Sequence, residues 1–438
     1  MSKKLEKLKA AFSMNKGERS LLIMRVLREM ELGLCGKKSS LKMLPAFVWP
    51  PTGNEQGTYL AIDFGGTNLR ILSVTLKGKG KIAEPKMCSH VIGQKIICGT
   101  KTGLGNFIVD KVLDFMQSQK MDIAMQTEIG FTFSFPIRQE SIVSGILVNW
   151  TKGFTIKGVV GQDVVGLLQK TFDKRGFPQI KIKAILNDTV GTLLRGCYEN
   201  SNCDVGVILG TGTNASYIEK VSNIVSDKNL TNESETMLIN MEWGGFDLVP
   251  QTDYDKELDR NSSNPGEQFL EKMVSARYLG ELVALIVNDF IAEGEFSTAM
   301  RTMKAKDFFT TQELSQIMGD RHSALPITKK ILSEKGIVRA SQKDRFLIKK
   351  ITKIVMNRSA CLAATMMIAV IKKNDCCSYR EHAIAIDGSL FEKAYRYKEV
   401  VLRTINSTLG RKRKAITPFV CKDGSGVGAA VAVAIVSK

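Results

Sequence analysis

Histidine is nearly absent from this sequence, with three residues in 438. The nine cysteines, at 35, 88, 98, 197, 203, 361, 376, 377 and 421, include no Cys-x-x-Cys spacing. These two absences exclude the ordinary zinc patterns, which draw on His and on closely spaced Cys. An odd number of scattered cysteines also argues against a disulfide framework and suits free thiols in a reducing compartment. Long apolar runs are missing too. The longest, Cys361 to Ile371, spans 11 residues, well short of the roughly 20 that cross a bilayer. The opening "MSKKLEKLKAAFSM" has the pattern of a basic amphipathic helix and lacks the continuous apolar core of a secretory signal. A cytoplasmic location is expected.

Positive charge is in excess: 62 Lys and Arg against 44 Asp and Glu, a net +18. Such a surplus serves either an anionic partner, nucleic acid or membrane, or a solvated exterior around a site for anionic substrates. The densest run, Arg411-Lys412-Arg413-Lys414, reads as an exposed loop or a nuclear address, and no aromatic-rich basic patch accompanies it. Weak, salt-sensitive association with an anionic surface is the expectation it supports. With 44% hydrophobic and 24% charged residues the composition is globular. The length calls for two or more domains.

The stretch "YLAIDFGGTNLRILSV", Tyr59 to Val74, sets Asp63, Gly65 and Gly66 between two runs of branched and aliphatic residues, a strand, hairpin and strand. Glycines permit positive φ and let a ligand approach backbone N–H groups, so the turn suits phosphate. Asp63 fits there if magnesium stands between carboxylate and phosphate; a plain tight hairpin accounts for the same residues. "VGVILGTGTNASYI", Val205 to Ile218, repeats the device at Gly210-Thr211-Gly212-Thr213. Two such hairpins imply two related halves facing one cleft. Helical spacing marks 18–32, and strands are expected at 128–133 and 180–186, with a helix from Thr189. Beyond residue 240 the pattern turns helical, over 265–287, 311–318, 343–373 and 391–409. "HAIAIDGSL" reads as a strand and turn, and "KDGSGVGAAVAVAIV" as a glycine loop feeding a small-residue helix.

In chain order, "LAIDFGGTNLR", "FSFPIRQESIVSGILVNWTKGF", "ILNDTVGTLL", "VGVILGTGTNASYIE", "INMEWGGFD", "NPGEQFLEKMVSARYLGELV", "AIDGSLFEK" and "DGSGVGAA" resemble the hexokinase family of the actin-like, ribonuclease-H-like ATPase superfamily. The resemblance implies an α/β fold of two ribonuclease-H-like (actin-like ATPase) domains flanking a deep cleft. The small domain would span 55–188 and the large domain 189–422, with a helical entry at 1–54 joining the large domain and a C-terminal helix at 423–438 returning to the small one. It further implies transfer of the γ-phosphate of ATP, with Mg2+, to the 6-hydroxyl of glucose or a related hexose, the first step of glycolysis.

A sugar hydroxyl is a poor nucleophile at neutral pH and needs a base. The resemblance gives that role to Asp188, although an Asn-Asp at a strand end also reads as a helix cap. For the sugar it implies Ser134, Thr151, Lys152, Asn187, Asp188, Asn214, Glu242, Gln268 and Glu271, with Lys152 and Arg70 also catalytic. Plainer readings stand beside these: Gln268 and Glu271 as a solvated pair on one helix face, Asn214 as a turn residue. For the nucleotide it implies Asp63, Gly65, Gly66, Thr67, Asn68 and Arg70 in the first hairpin and Gly210, Thr211, Gly212 and Thr213 in the second. Gly388, Ser389, Asp423, Gly424 and Ser425 would lie on the adenosine side, and Asp63 would face magnesium through water. The chain departs from the family pattern at Gly245, usually Ala, at Ala276, often Gly, and at Val427, commonly Lys. Those departures bear on nucleotide affinity and regulation more than on the sugar residues. The set Asp63, Arg70, Lys152 and Asp188 favours an enzyme over a catalytically weak sugar sensor or scaffold. The segment 134–154 favours it over an actin-like filament protein. Valine at Gly66 or Gly212 is expected to abolish use of ATP while sugar binding partly survives.

Overall fold

Alternation of apolar residues with period two builds two sheets whose faces are filled by different helices. The structure, a computed structural model, describes residues 2–226, 234–302, 309–377, 380–410 and 415–437; the basic run at 411–414 lies outside them. Its strands begin with β1 (Leu44–Pro45), β2 (Gln56–Phe64), β3 (Asn68–Lys77), β4 (Lys86–Val91), β5 (Thr127–Phe133), β6 (Ile137–Ser141) and β7 (Ser144–Leu147). They continue with β8 (Ile180–Leu186), β9 (Cys203–Leu209), β10 (Thr213–Lys220), β11 (Thr236–Asn240), β12 (His382–Asp387) and β13 (Ile416–Val420). One sheet has the order β4-β3-β2-β5-β8, antiparallel across β4, β3 and β2 and parallel across β2, β5 and β8. The second, β1-β11-β10-β9-β12-β13, repeats the plan with β11, β10 and β9 antiparallel and β9, β12 and β13 parallel. This doubled α/β plan is the one the motifs imply.

On β2, Leu60, Ile62 and Phe64 enter one core with Phe131 and Phe133 of β5, covered by Val109 and Leu168 from the helices Lys101–Ser118 and Val164–Lys174. Ala61 turns to the other face. In the second sheet Val205, Val207 and Leu209 face a large helical core, while Ala383 and Ala385 face away from it. The remaining faces of both sheets meet on two helices, Asp188–Glu199 against β9, β10 and β12 and Gly424–Val436 against β2, β3, β5 and β8. These helices cross backbone to backbone: a Cβ on Gly428 would stand 1.8 Å from the carbonyl oxygen of Gly191. One on Gly130 of β5 would stand 2.2 Å from that of Ala429.

Two expected helices are divided. The segment 265–287 forms Phe269–Val274 and Ala276–Ala292, because Ser275 is extended between them. The segment 391–409 forms Ser389–Lys393 and Tyr397–Leu409, separated where Arg396 takes a left-handed φ of 58°. Apolar spacing runs across both breaks because each pair of helices buries the same side. The helix Gln342–Asn374 opens on a capping box of Ser341 and Asp344. It is long and apolar enough to cross a membrane, and its apolar part is buried in the large core. There Arg358 makes two bonds of 2.7 Å to Asp255, both side chains 4% exposed, with the Phe12 ring 4.1 Å from the guanidinium. Burial alone would push the Asp255 carboxyl up, but the Arg358 charge and the bonds from Arg358 and Thr252 hold it below the ordinary range. All nine cysteines are free.

Candidate functional site

β8 ends at Leu186 and the chain enters a helix at once, beginning at Asp188 rather than Thr189. Asn187 is the cap: its Oδ1 accepts from the Thr189 N–H at 3.0 Å and the Thr189 hydroxyl at 2.8 Å. That leaves Asp188 as the free-standing acid of the pair, its Oδ1 accepting only locally, from the Thr189 N–H at 2.9 Å. Asn187 Oδ1 also lies 3.3 Å from Asn214 Nδ2, which reaches Asn240 Oδ1 at 2.9 Å and Glu242 Oε1 at 3.2 Å. Asn214 is thus the node of a polar network, beyond the needs of a turn. Asn240, which also donates to Glu242 Oε1 at 2.9 Å, was not foreseen. The available signal was its position two residues before Glu242 at a strand end, which puts both on one side.

Glu271 comes from the short helix after Gln268, and its Oε2 accepts from the Thr213 N–H at 3.1 Å. Burial pushes its carboxyl up, the Thr213 bond and the Lys152 charge oppose this, and Glu242 adds to it. Trp243 Nε1 donates to Thr213 Oγ1 at 3.0 Å, fixing the strand from beneath. A Cβ on Gly244 would stand 2.4 Å from Gln268 Oε1, so Gln268 lies directly on that glycine. Lys152 approaches from the other sheet, its ammonium donating to the Ser134 carbonyl at 2.6 Å. Ser134 extends β5 through its N–H bond to the Phe64 carbonyl, and Thr151 is turned by the bond of its carbonyl with the Phe154 N–H.

In both hairpins the loop closes on one bond of 3.0 Å, Gly65 N–H to Asn68 and Gly210 N–H to Gly212. None of Gly65, Gly66, Gly210 and Gly212 has a positive φ, so left-handed freedom is not why glycine stands there. Close approach is. A Cβ on Gly66 would meet Lys152 Cδ at 2.8 Å, and one on Gly212 would meet Glu271 Oε2 at 2.8 Å. Valine at Gly66 would press on Lys152 and valine at Gly212 on Glu271, both read as sugar residues, so each variant should weaken sugar binding along with ATP use. Separate titrations of sugar and nucleotide decide this: unchanged sugar affinity in folded Gly212→Val would contradict it.

Asp63 accepts from Ser425 Oγ at 3.0 Å, and Arg70 stands 3.7 Å from Asp63 and 3.5 Å from Asp423. Burial pushes Asp63 up to about 6 against the pull of Arg70 and Ser425, and the charge of Asp188 adds to the rise. Asp387, absent from the expected set though it precedes Gly388, is pushed up to about 6 as well, by burial first and by Asp423 and Asp63 after. It accepts from the Gly424 N–H at 3.0 Å. Oxygen donors crowded with unbalanced negative charge fit a magnesium ion held through water. Among the described residues no three His, Cys, Asp or Glu side chains form a closed metal cage. Gly388 passes alongside Gly210, 3.7 Å from where its Cβ would be. Thr67, Thr211 and Ser389 are exposed, outside this buried network, and the Asn68 side chain donates to its neighbour Thr67.

Lys152, Glu242, Gln268 and Asp423 have φ of 57°, 54°, 53° and 55°, four of the ten left-handed non-glycine residues described. Each such residue costs of order 1–3 kcal/mol and persists where its surroundings over-determine it, commonly at ligand sites. Of the departures from the family pattern, Gly245 has a Ser40 carbonyl 3.2 Å from its missing Cβ, a tight fit for alanine. Ala276 donates its N–H to Gly210 at 2.8 Å. Val427 is fully buried.

Two family models described as hexokinase match residues 4–198 and 204–435. Hexokinase-1 of Spinacia oleracea is 38% identical over 424 residues, covering 93% of this chain and 85% of its own. Hexokinase-3 of Homo sapiens is 35% identical over 442 residues, 98% of this chain and 47% of its own. A hexokinase from Schistosoma mansoni, solved in complex with glucose, matches with a TM-score of 0.84 at 32% identity, each chain covered to 98%.

Proposed function

This chain belongs to the hexokinase family and is an ATP-dependent hexose kinase; we propose that it phosphorylates the 6-hydroxyl of glucose or a closely related hexose, with Asp188 as the base. The observation that carries this reading is the position of Asp188. It adjoins Asn187, a member of the polar network of Asn214 and Glu242, and its charge is felt at Asp63 on the phosphate side. The glucose complex of the Schistosoma relative supports glucose as the acceptor.

Asp188 accepts the 6-hydroxyl proton as that oxygen attacks the γ-phosphorus, and the bond to the ADP oxygen breaks in line. Asn187, Asn214, Glu242, Gln268 and Glu271 hold the remaining hydroxyls, with Ser134 and Thr151 at the opposite wall. Lys152 offsets negative charge on the transferred group. The hairpin tips at Gly66-Thr67 and Thr211-Gly212 face the phosphates with Arg70 beside them, and Gly388, Asp423, Gly424 and Ser425 border the nucleotide. Asp63 would hold the nucleotide's magnesium through water, and that ion neutralises phosphate charge when bound. A coupled assay for sugar 6-phosphate tests the reading. Phosphorylation of glucose is expected, and a folded protein that transfers phosphate to none of glucose, fructose and mannose would overturn it.

The proposal extends to the first step of glycolysis in the cytoplasm, where nine free thiols stay reduced. The net charge of +18 adds weak attachment to an anionic surface, which must fall steeply with salt. Co-sedimentation with anionic vesicles should show binding at low salt only; none at low salt removes this part.

A further inference from the structure

Lys272 is the most completely buried ammonium beside the polar network, its side chain 3% exposed. All three of its donors are used: Asp259 Oδ1 at 2.5 Å, the Asn264 carbonyl at 2.7 Å and the Glu267 carbonyl at 2.7 Å. Asp259, near the end of the helix Asp253–Asn261, also accepts the Gly266 N–H with both oxygens at 3.1 Å. The loop from Ser262 to Gln268 is therefore wound around a single ion pair. A buried charge is costly unless its partners are complete, so the loop has one arrangement that satisfies Lys272 and no cheap neighbours to it.

That arrangement ends on two residues read as sugar ligands. Gln268, directly after Glu267, is held left-handed and lies on Gly244. Glu271 immediately precedes Lys272 on the six-residue helix Phe269–Val274, so anchoring the lysine fixes the rotation that aims Glu271 at the Thr213 N–H. We infer that Lys272, paired with Asp259, is a positioning residue that presets Gln268 and Glu271 for the hexose. This rests on the reading of those two residues as hexose ligands. The ion pair itself touches none of the residues placed around the phosphates and reaches them only through the bond of Glu271 with the Thr213 N–H, so its loss should act on the hexose far more than on ATP.

The test uses the full chain, with glucose and ATP titrated separately by calorimetry and by steady-state kinetics. Misplacement by about 1 Å can cost up to 10²-fold. Lys272→Met is therefore expected to raise the glucose Kd and KM by about 10- to 100-fold, with a far smaller change in the ATP KM. Lys272→Met leaves Asp259 without its cation, so Asp259→Asn, which removes the charge and keeps one acceptor oxygen in the same shape, carries the same test if the first variant does not fold. It should show the same one-sided loss, smaller in size. Glu271→Gln in the parent separates the two readings: if it leaves glucose affinity unchanged, the ligand assignment fails. If it weakens glucose while Asp259→Asn and Lys272→Met leave glucose affinity at the parent value, or shift glucose and ATP alike, the positioning role is overturned.

Discussion

Asp188→Asn is expected to bind glucose with nearly the parent affinity and to transfer phosphate about 10²- to 10⁴-fold more slowly, the usual loss when general-base help is removed. The amide keeps the shape and can still hydrogen-bond the 6-hydroxyl, but it cannot take the proton. Asn187, Asn214 and Glu242 hold one another without Asp188, so this polar network should survive the change. Fluorescence of Trp243, buried against Thr213, offers a binding signal beside the network, and direct detection of the sugar phosphate reports turnover. Near-parent turnover in the folded variant would remove Asp188 from the role of base. Loss of glucose binding equal to the loss of turnover would make it a ligand only.

Arg358→Met is the substitution expected to cost most in stability, about 3–5 kcal/mol. It leaves Asp255 ionised, buried and without its partner at 2.7 Å, and it removes the cation stacked on Phe12. Adding Asp255→Leu should recover much of this loss, because two apolar groups leave no stranded charge. Recovery stops short of full, since Asp255 also closes the capping box of Thr252 and a lost cap costs about 0.5–2 kcal/mol. The depressed carboxyl of Asp255 sets a sign in pH as well. Its contribution is complete above the unfolded value and is lost as pH falls through the lower folded value, so the gap between parent and Arg358→Met should narrow in acid. Denaturant midpoints at several pH values measure this. Equal midpoints for the parent and Arg358→Met at neutral pH would show that the pair contributes nothing.

Seven strands, β2, β3, β5, β8, β9, β10 and β12, were legible because each is an apolar run closed by a glycine hairpin or a polar turn, all local signals, whereas β1, β4, β6, β7, β11 and β13 carry no such marker. Asn187 as a cap was equally local. The reason for glycine at 66 and 212 was not, because the atoms that exclude a side chain there belong to Lys152 and Glu271, far along the chain. Asn240 and Asp387 escaped for a related cause: each sits at a strand end beside a residue with a clearer motif, and only the sheet register shows what it faces. The breaks at Ser275 and Arg396 were hidden because apolar periodicity records which side is buried and is blind to a backbone turn that preserves it.

The seating of the helix Gly424–Val436 on β2, β3, β5 and β8 has a consequence for how the protein is made. The five-stranded sheet is complete once Leu186 has been synthesised, yet the helix that covers its alanine-bearing face ends roughly 250 residues later. At about 5–20 residues per second a ribosome needs roughly 10–50 s to cross that interval. Throughout it, Leu72, Val74 and Leu186 have no helix 424–436 to lie against. The nascent first half is thus an unfinished layer waiting for its cover, and slower translation of the second half prolongs its exposure to chaperones and to aggregation.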